Sequence, residues 1–582
     1  MKRATQSNAT LPHLQQSLAV IATLRELVAS LESKAVALES KVVELESKNS
    51  ALQSTLNNFA AENDLLKRRL FGTKSEHTNS NEFQLVLKEL FPEEEKLQKE
   101  YERALCAGHD SLQRGEEPKE QQDKKPRSKP KGRRDLSVSN LERIHVNIDD
   151  PQLAEQGREI NREVSHELIF VRGGFRVLVK STAVYQVNVA GRSTVLGATQ
   201  PQRLFPRSMC HESVYAWLAC QKFGLGVPHY RLEQQLQGEE ESLDRASMGR
   251  HMEELGGALG CTVVKAMFDD ARTNCHVLST DATGAAVQPV RTEDMRRQPC
   301  KKGHFFTVVA DCDHVLYHYT ESHTSKAVAQ LFEGFSGFLQ SDASSVYNIL
   351  DRGTPGPGEG PLSLVGCWAH CRRYFFDAAI TKHPGAVEGL RRIREIFCEE
   401  AKFSKHSPEQ RLWHRQQVLA PLFDSFFAWV RVAKDQEPGR TKLTQALGYA
   451  CNQEQELRRV LLDGRLALDN NRSERALRRI VVGRKNWLFY GSDTHAESAA
   501  AIFTVLASCR LHRIDPQSYL HDVLRVLPYW PSERYIELAP NRWVQTRARL
   551  NPEQLAAELC EFDVPPPLES VSGTECTGPP VE

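Results

Sequence analysis

A seven-residue repeat of apolar residues near the start of the chain constrains its fold more than any other feature. Leucine or phenylalanine recurs every seven residues from Leu24 to Leu66, and a second, mostly apolar set follows four residues behind each of them. This is the a/d pattern of a coiled coil, sustained well beyond three heptads. Asn49 and Asn63 fall at core positions, where paired asparagines favour a parallel dimer. The pattern predicts a dimerising coiled-coil helix over residues 14–70 rather than a long helix packed on its own chain.

Charge is locally separated although the formal net charge of the 582 residues is zero. The segment KKPRSKPKGRR, residues 124–134, carries seven basic residues among eleven. Such a cluster attracts DNA phosphates, but its composition equally fits a solvated linker. We interpret residues 71–135 as a basic, flexible linker. Its candidates for DNA contact are Lys129, Lys131, Arg133 and Arg134.

Several classes of protein are disfavoured by what the sequence lacks. The fourteen cysteines are scattered without a CxxC pair, so a disulfide scaffold and a zinc ribbon both lack their spacing. No apolar run approaches the roughly 20 residues that span a bilayer, and the N-terminus has no signal-peptide core. These features predict a protein of a reducing cytoplasm without a membrane partner.

Two segments with different periodicities follow the linker. Residues 136–204 form a small β module, in which ELIFVRGGFRVLVKSTAVYQV predicts a hairpin with Gly173-Gly174 as its turn. Residues 205–262 are helical in pattern. There, YRLEQQLQ and SMGRHMEELGGALG favour either a DNA-binding helix-turn-helix or a plain helical hairpin, and the sequence leaves both open.

Residues 270–350 read as an α/β segment in the order strand, strand, strand, helix, strand. The first strand is predicted to end at Asp281 and the fourth at Asp342. A helical crossover returns the chain parallel to the strand beside which it began. The fourth strand therefore lies beside the first, and the two aspartates meet at the carboxyl ends of neighbouring strands, where open α/β sheets place their sites.

The segment LDNNRSERALRR, Leu468 to Arg479, holds a single glutamate, Glu474, among arginines. Asp469 is a good helix N-cap. At 100° per residue, the following helix has one apolar stripe, made of Ala476, Leu477 and Ile480. Glu474 borders this stripe, so a helix lying on the sheet brings it to the two aspartates. The arginines predicted on the opposite side are Arg472, Arg475 and Arg479.

Three converging carboxylates predict a divalent-cation site. Mg²⁺ prefers carboxylate oxygens, water and phosphate oxygens, and paired ions serve phosphoryl displacement. We expect Asp281, Asp342 and Glu474 to bind Mg²⁺, with Mn²⁺ as an alternative, beside arginines that bind DNA. The plainer alternatives are turn aspartates at strand ends and a surface helix with ordinary ion pairs.

These residues and further motifs carry a resemblance to a known family. In chain order over residues 60–530 they are RRLFGTKSE, VPHYRLEQQL, VLSTDATG, GFSGFLQSDASSVYN, CWAHCRRYFFDA, DNNRSERALRRIVVGRKNWLFYGSD and AAAIFTVLASCRLHRIDPQSYLHDVL. The chain resembles the transposases of bacterial insertion sequences of the IS-sixty-six (IS66) type, sometimes called TnpC. The block from Asp469 to Asp493 is long and highly specific.

The resemblance implies a ribonuclease-H-like catalytic core of the DDE class, with Asp281, Asp342 and Glu474 as its acids. It implies a helical insertion over residues 351–465, closing helices over 466–512 and a C-terminal cap over 513–548. Enzymes of the family cut DNA at the terminal inverted repeats with water and join the 3′ hydroxyls to target DNA. They use Mg²⁺, form no covalent link to DNA, and are compatible with helper proteins of the same element. The DNA-binding candidates are Arg472, Arg475, Arg478, Arg479, Arg484, Lys485, Arg372 and Arg373.

The chain also departs from the family pattern. Relatives carry a zinc ribbon where this chain has no cysteine between Cys106 and Cys210, so we predict no zinc there. Cys367, His370 and Cys371 form an incomplete metal set, and we interpret them as a packed helix start. The residues after Asp281 and the serine at Ser344 are unusual for the family.

These departures keep three functional hypotheses open. The leading one is an active transposase of the bacterial cytoplasm, associated with the nucleoid. The rivals are a catalytically degenerate DNA-binding relative that inhibits transposition and a metal-dependent nuclease that cuts without joining. The coiled coil favours the first, because joining requires two DNA ends to be held together. Residues 549–582 are predicted to be a disordered tail.

Overall fold

The structure is a computed structural model. It describes Lys41 and residues 136–139, 141–171, 174–189, 192–238, 243–289, 299–311, 313–351, 362–380, 383–437 and 439–568. Apart from Lys41, which is helical, the predicted coiled coil and the basic linker lie outside the described residues. Contacts divide the chain into two compact units, residues 1–119 with 376–387 and residues 120–375 with 388–582. The second unit carries the predicted site and is described by itself.

The described strands belong to two sheets. In chain order they are β1 (Arg143–Ile148), β2 (Gly157–Val171), β3 (Gly174–Val189), β4 (Arg192–Gly197), β5 (Val277–Val287), β6 (Lys301–Ala310), β7 (His314–Thr320), β8 (Phe338–Gln340) and β9 (Ser363–Val365). The chain is therefore of mixed α/β class, as predicted.

The described α-helices follow and interleave these strands. They are α1 (Pro151–Gln156), α2 (Glu212–Ala219), α3 (His229–Gly238), α4 (Arg245–Leu259), α5 (Lys265–Asn274), α6 (Ser325–Leu331), α7 (Trp368–Ala379), α8 (Pro384–Ala401), α9 (Pro408–His414), α10 (Ala420–Gln436), α11 (Lys442–Asn452), α12 (Glu454–Arg458), α13 (Asn471–Trp487), α14 (Asp493–Leu511), α15 (Pro516–Val526), α16 (Pro540–Ala548) and α17 (Pro552–Ala556). Within the described part of the chain, none of the helices has both the length and the apolarity to cross a bilayer.

The first sheet contains the predicted hairpin. β2 and β3 are antiparallel, with Val171 opposite Gly174. Because Gly174 is paired with Val171, it belongs to β3, and the prediction that it forms part of the turn is wrong. Residues 172–173 lie outside the described residues. β1 pairs with β3 in parallel and β4 pairs with β3 in antiparallel fashion, and neither of these strands was predicted.

The second sheet has the strand order β7-β6-β5-β8-β9. β5, β6 and β7 are antiparallel neighbours, whereas β8 runs parallel to β5 and β9 parallel to β8. The helix α6 makes the crossover from β7 to β8. The predicted order of strand, strand, strand, helix, strand is confirmed, and β9 is an unpredicted addition beyond β8.

The helix α14 forms the centre of the second unit. Its residues Ala499 to Ser508 are all buried, which explains why its sequence is apolar on every side. Two of its hydroxyls bind the outer edge of β7: Ser508 Oγ accepts from Val315 N at 3.0 Å and Thr504 Oγ1 from Tyr317 N at 2.9 Å. These bonds satisfy backbone donors that an uncovered edge strand would expose.

The helical segment predicted to be either a helix-turn-helix or a plain hairpin contains α3 and α4. Residues 239–242, which connect these two helices, lie outside the described residues. The helix α4 packs on α14, and Gly256 permits the close approach because an added Cβ would lie 2.3 Å from Ser498 O.

The C-terminal segment corrects one prediction. Residues 549–568 are ordered, whereas residues 569–582 lie outside the described residues. The buried Arg525 side chain donates to the carbonyls of Gln554 and Leu555 at 3.1 Å and lies over the buried ring of Phe562. A buried guanidinium that binds backbone carbonyls orders a segment whose composition alone reads as disordered.

Candidate active site

Asp281 and Asp342 lie at the same level of two neighbouring parallel strands. The last pair of the β5–β8 ladder is Ser279 with Gln340, and each aspartate comes two residues later. β5 does not end at Asp281 as predicted, because it continues to Val287 as the antiparallel partner of β6. The parallel pairing stops before the aspartates, so they still meet where that ladder ends.

The helix α13 lies against the face of β5 that carries Asp281. Ser279 Oγ is 3.1 Å from Ser473 Oγ, and residues two apart in a strand share a face. Asp281 therefore faces α13, where Glu474 follows Ser473. The Asn470 side chain, which donates to Thr280 O at 3.4 Å, fixes the start of the helix against the same strand.

The local structure of α13 follows the predicted pattern with one correction. Leu477 and Ile480 are buried as expected for the apolar stripe. The N-cap is Asn470 rather than Asp469. The carboxylate of Asp469 instead accepts from the backbone N–H of Asn471 at 3.1 Å and from its side-chain amide at 2.7 Å. Asp469 thus stabilises the turn that enters the helix.

The electrostatics of the site are clearest at Asp281, which feels the charges of the other two acids. The pKa of Asp281 is raised to about 7, mainly by burial and in smaller part by the charges of Asp342 and Glu474, against the hydrogen bond from Ala282 N and the charge of Arg373. Like charges held close together disfavour ionisation. A cation placed among these carboxylates would relieve this repulsion.

Two side chains of α7, those of His370 and Arg373, approach Glu474. His370 Nε2 lies 3.6 Å from Glu474 Oε1, and a guanidinium nitrogen of Arg373 lies 3.6 Å from Oε2. These distances exceed those of hydrogen bonds, and Glu474 Oε1 is buried with no hydrogen-bond donor among the described residues. The interpretation of His370 as only a packed helix start is therefore incomplete. The spacing of His370 and Arg373, three residues apart on one helix face, is the sequence signal that could have indicated it.

Cys367, directly before α7, and Cys371, within α7, are both buried. Burial raises the pKa of the Cys367 thiol to about 11 and that of Cys371 further. Both thiols therefore stay protonated near neutral pH, which disfavours the thiolate form that metals bind.

The basic residues of α13 divide into an outer and an inner group. The outer, exposed group is Arg472, Arg475, Arg478 and Lys485. Arg479 is half-buried, and burial lowers its pKa. Arg484 is also half-buried and donates to Thr283 Oγ1 at 2.8 Å and to Gly284 O. The prediction that Arg479 faces outward is wrong, and Arg484 holds the continuation of β5 rather than standing free for DNA.

The remaining DNA-binding candidates lie on α7 and in the linker. Arg372 is exposed and Arg373 half-exposed beside Glu474. The four linker candidates, Lys129, Lys131, Arg133 and Arg134, lie outside the described residues. Among the described residues, the structure therefore brings together the three acids with Arg373 and His370.

Comparison with known families bears on these residues. A family model described as "Transposase IS66 family" matches residues 207–498, about half of the chain. A model described as "IS66 C-terminal element" matches residues 504–541, and one described as "Transposase C of IS166 homeodomain" matches residues 58–146. The resemblance inferred from the motifs is confirmed.

Three relatives come from Sinorhizobium fredii. The uncharacterized protein y4qI is 27% identical over 432 residues, 72% of this chain and 78% of the relative. The uncharacterized protein y4hP is 28% identical over 60% of this chain and 65% of the relative, and y4jD is 27% identical over 57% and 65%.

A solved structure also matches in part. The Drosophila P element transposase strand transfer complex matches with a TM-score of 0.32 and 9% identity, over 50% of this chain and 92% of that chain.

Proposed function

The chain belongs to the transposase IS66 family, and from this premise we propose that it is an active DNA transposase that cuts at element ends and joins the freed 3′ hydroxyls to target DNA. The observation that carries the proposal is the placement of three acids where the β5–β8 ladder ends: Asp281 and Asp342 each follow its last pair by two residues, and Glu474 follows Ser473, which contacts Ser279. The charges of Asp342 and Glu474 contribute to the raised pKa of Asp281. The order and directions of the five strands β7-β6-β5-β8-β9 support a ribonuclease-H-like core of the DDE class.

The three acids suit Mg²⁺, with Mn²⁺ as an alternative. All three offer carboxylate oxygens, the donor that Mg²⁺ prefers, and Glu474 Oε1 is buried without a hydrogen-bond donor among the described residues. The pKa of Asp281 is raised first by burial and then by the negative charges of Asp342 and Glu474, and a bound cation would offset both effects. When bound, the cation supplies charge neutralisation and a water of lowered pKa for phosphoryl displacement.

The residues of the chain divide the remaining work. Arg373 and His370 flank the Glu474 carboxylate, each with a nitrogen 3.6 Å from one of its oxygens. Ser344 N donates to Asp342 Oδ1 at 3.2 Å and orients that carboxylate. The exposed Arg472, Arg475 and Arg478 border Glu474 on the same helix and bind the phosphates of the DNA backbone, because exposed guanidinium groups replace condensed counterions there.

A cleavage assay tests the proposal. The purified protein is incubated with labelled DNA that carries its element's ends, with Mg²⁺ or with chelator. We expect metal-dependent nicking at the element boundary. Binding without nicking, even after the element's other proteins are added, would favour the catalytically degenerate DNA-binding relative. Nicking without joining to a target plasmid would favour the nuclease.

We expect Mg²⁺ alone to raise the melting temperature of the protein, and to do so more at pH 8 than at pH 6. The folded-state pKa of Asp281, about 7, lies above the unfolded value of about 3.9. The free energy of unfolding of the metal-free protein therefore falls as pH rises from about 4 to 7, because the unfolded chain loses the Asp281 proton first. The loss persists above pH 7. At pH 8 Asp281 is ionised, and a bound cation offsets the lost stability. At pH 6 a proton on Asp281 competes with the cation, so the gain from Mg²⁺ is smaller. Thermal unfolding measures the shift.

Asp281→Asn should abolish this pH-dependent gain from Mg²⁺. The matched control is Asp424→Asn, which removes an exposed carboxylate paired with Arg458 and should leave the gain unchanged. Equal Mg²⁺ shifts in wild-type protein and Asp281→Asn would place the bound cation elsewhere.

We also propose that the chain dimerises through the heptads of residues 14–70. Deleting residues 1–66 should convert a dimer into a monomer in light scattering, because it removes the apolar a/d seam. An unchanged mass would assign the heptads another role. A dimer presents two sites to two DNA ends, and helper proteins of the element would act with that assembly.

A further inference from the structure

The helix α13 ends in an exposed apolar tip formed by Leu488 and Phe489. Leu488 is 69% exposed and Phe489 42% exposed. Leu488 has φ +68° and ψ −43°, and Phe489 N donates to Trp487 O at 2.8 Å. This is a γ-turn of the left-handed kind, which is rare and strained for a residue with a side chain. Strain of this sort concentrates at sites where it serves a function.

The tip is held from both sides. Before it, the Asn486 side chain donates to Gly226 O at 2.8 Å, and Lys222 Nζ lies 5.5 Å from the ring centre of Trp487. After it, the buried Tyr490 pairs with the end of β5, with Tyr490 N donating to Ala286 O at 2.9 Å. The tip is therefore fixed in position, as a side chain that must insert into a ligand needs to be.

A stripe of basic and apolar residues leads along α13 from the acids to this tip. Its exposed members are Arg475, Arg478, Val482 and Lys485, which fall within about 80° of one another at 100° per residue. The sequence from Arg475 to Ser492 contains no acid. A basic stripe without acids complements the phosphates of DNA. The apolar tip at its end complements the stacked bases in the interior of the duplex.

We propose that Leu488 and Phe489 form a wedge that inserts into a base step of the element-end DNA and unstacks it. The proposal rests on the proposed function, because it takes the acids as the place where the strand is cut. Glu474 and Trp487 are 13 residues apart, about 20 Å along the helix at 1.5 Å per residue. A duplex lying along the stripe advances about 3.4 Å per base pair, so the wedge enters about six base pairs from the scissile phosphate. Inserted apolar side chains kink DNA in this way elsewhere.

The test uses element-end duplexes with 2-aminopurine placed singly at steps three to nine base pairs from the cut, on either side, with chelator present. We expect the fluorescence of one position, about six base pairs from the cut, to rise when full-length protein binds, because unstacking removes the quenching by neighbouring bases. Binding affinity is measured on the same duplexes as a function of salt.

Leu488→Gly combined with Phe489→Ala should remove the fluorescence rise and weaken binding about tenfold, the order expected for the loss of base stacking. Glycine suits the positive φ at position 488, so the fold is retained. The slope of log affinity against log salt should stay unchanged, because no phosphate contact is lost. Lys485→Gln should instead reduce that slope by about one and leave the fluorescence rise intact. Val544→Ala, at a valine that is 65% exposed, is the control for trimming an exposed apolar residue.

The outcomes separate the wedge from the function. Wild-type protein that binds and nicks the DNA without a fluorescence rise at any position overturns the wedge alone. A rise that survives the double substitution does the same. A double variant with unchanged binding and a lower oligomeric mass would make the tip an interface between copies of the chain and overturn the wedge. Wild-type protein that neither binds nor nicks element-end DNA overturns both proposals.

Discussion

Glu474→Gln is expected to abolish strand cleavage, by at least about a thousandfold, while leaving DNA binding intact. The substitution removes one carboxylate from the proposed cation-binding set, and cation stabilisation of the transition state contributes several kcal/mol, each 1.4 kcal/mol being about tenfold in rate. Binding should persist because the exposed arginines of α13 remain. The measurement is nicking of labelled element-end DNA beside a gel-shift titration with the same duplex.

The control for this prediction is Glu395→Gln. The carboxylate of Glu395 also lies 3.6 Å from an arginine nitrogen, that of Arg391, but Glu395 lies on α8 and its charge is not among those that shift the pKa of Asp281. Its loss should change neither cleavage nor binding. If Glu474→Gln lost binding together with cleavage, Glu474 would act by organising the arginine surface, and the division between acids and arginines would be wrong.

The arrangement of Asp281 and Asp342 could be predicted because it depends on local patterns. Alternating apolar residues indicate strands, the segment of α6 has helical periodicity, and the crossover rule then leaves one parallel neighbour for β5. The prediction that β5 ends at Asp281 failed for a physical reason. A strand ends where its partners end, and β5 has two: β8 stops at Gln340, whereas β6 continues to pair with it as far as Val287.

Contacts between distant segments could not be read from local patterns. His370 lies 104 positions before Glu474 in the sequence. The spacing of His370 and Arg373 indicates a shared helix face, but it does not identify Glu474 as the residue that this face approaches. Arg484 is a residue type that often contacts DNA, but its guanidinium donates hydrogen bonds to Thr283 Oγ1 and Gly284 O. Helical periodicity gives the direction of a side chain, and it does not reveal what the fold places in front of it.

The segment that connects α12 to α13 is held by Arg415, which is fully buried. Its guanidinium donates to the Glu400 carboxylate at 2.9 Å and to the carbonyls of Val460, Asp463 and Leu466 at 2.9, 2.8 and 2.7 Å. These carbonyls belong to the segment that leads to the start of α13. The Asp463 carboxylate also lies 3.0 Å from His276 Nε2, directly before β5. One side chain therefore fixes the segment that carries Glu474 toward the sheet.

Arg415→Ala is expected to lower the free energy of unfolding by about 3–5 kcal/mol, because it leaves the Glu400 carboxylate, only 16% exposed, without its partner. Cleavage should fall with it, since the segment before Glu474 loses three backbone contacts. Urea unfolding and the nicking assay measure the two effects.

The matched control is Arg431→Ala. It removes an arginine that is paired with Glu454 at 2.6 Å but is 56% exposed, and it should lower the free energy of unfolding by under about 1 kcal/mol. Arg415→Met with Glu400→Leu should recover part of the stability by removing both charges, but not all of it, because the three carbonyls still lack donors. A loss for Arg415→Ala as small as that for Arg431→Ala would show that the segment before Glu474 is held by its apolar contacts.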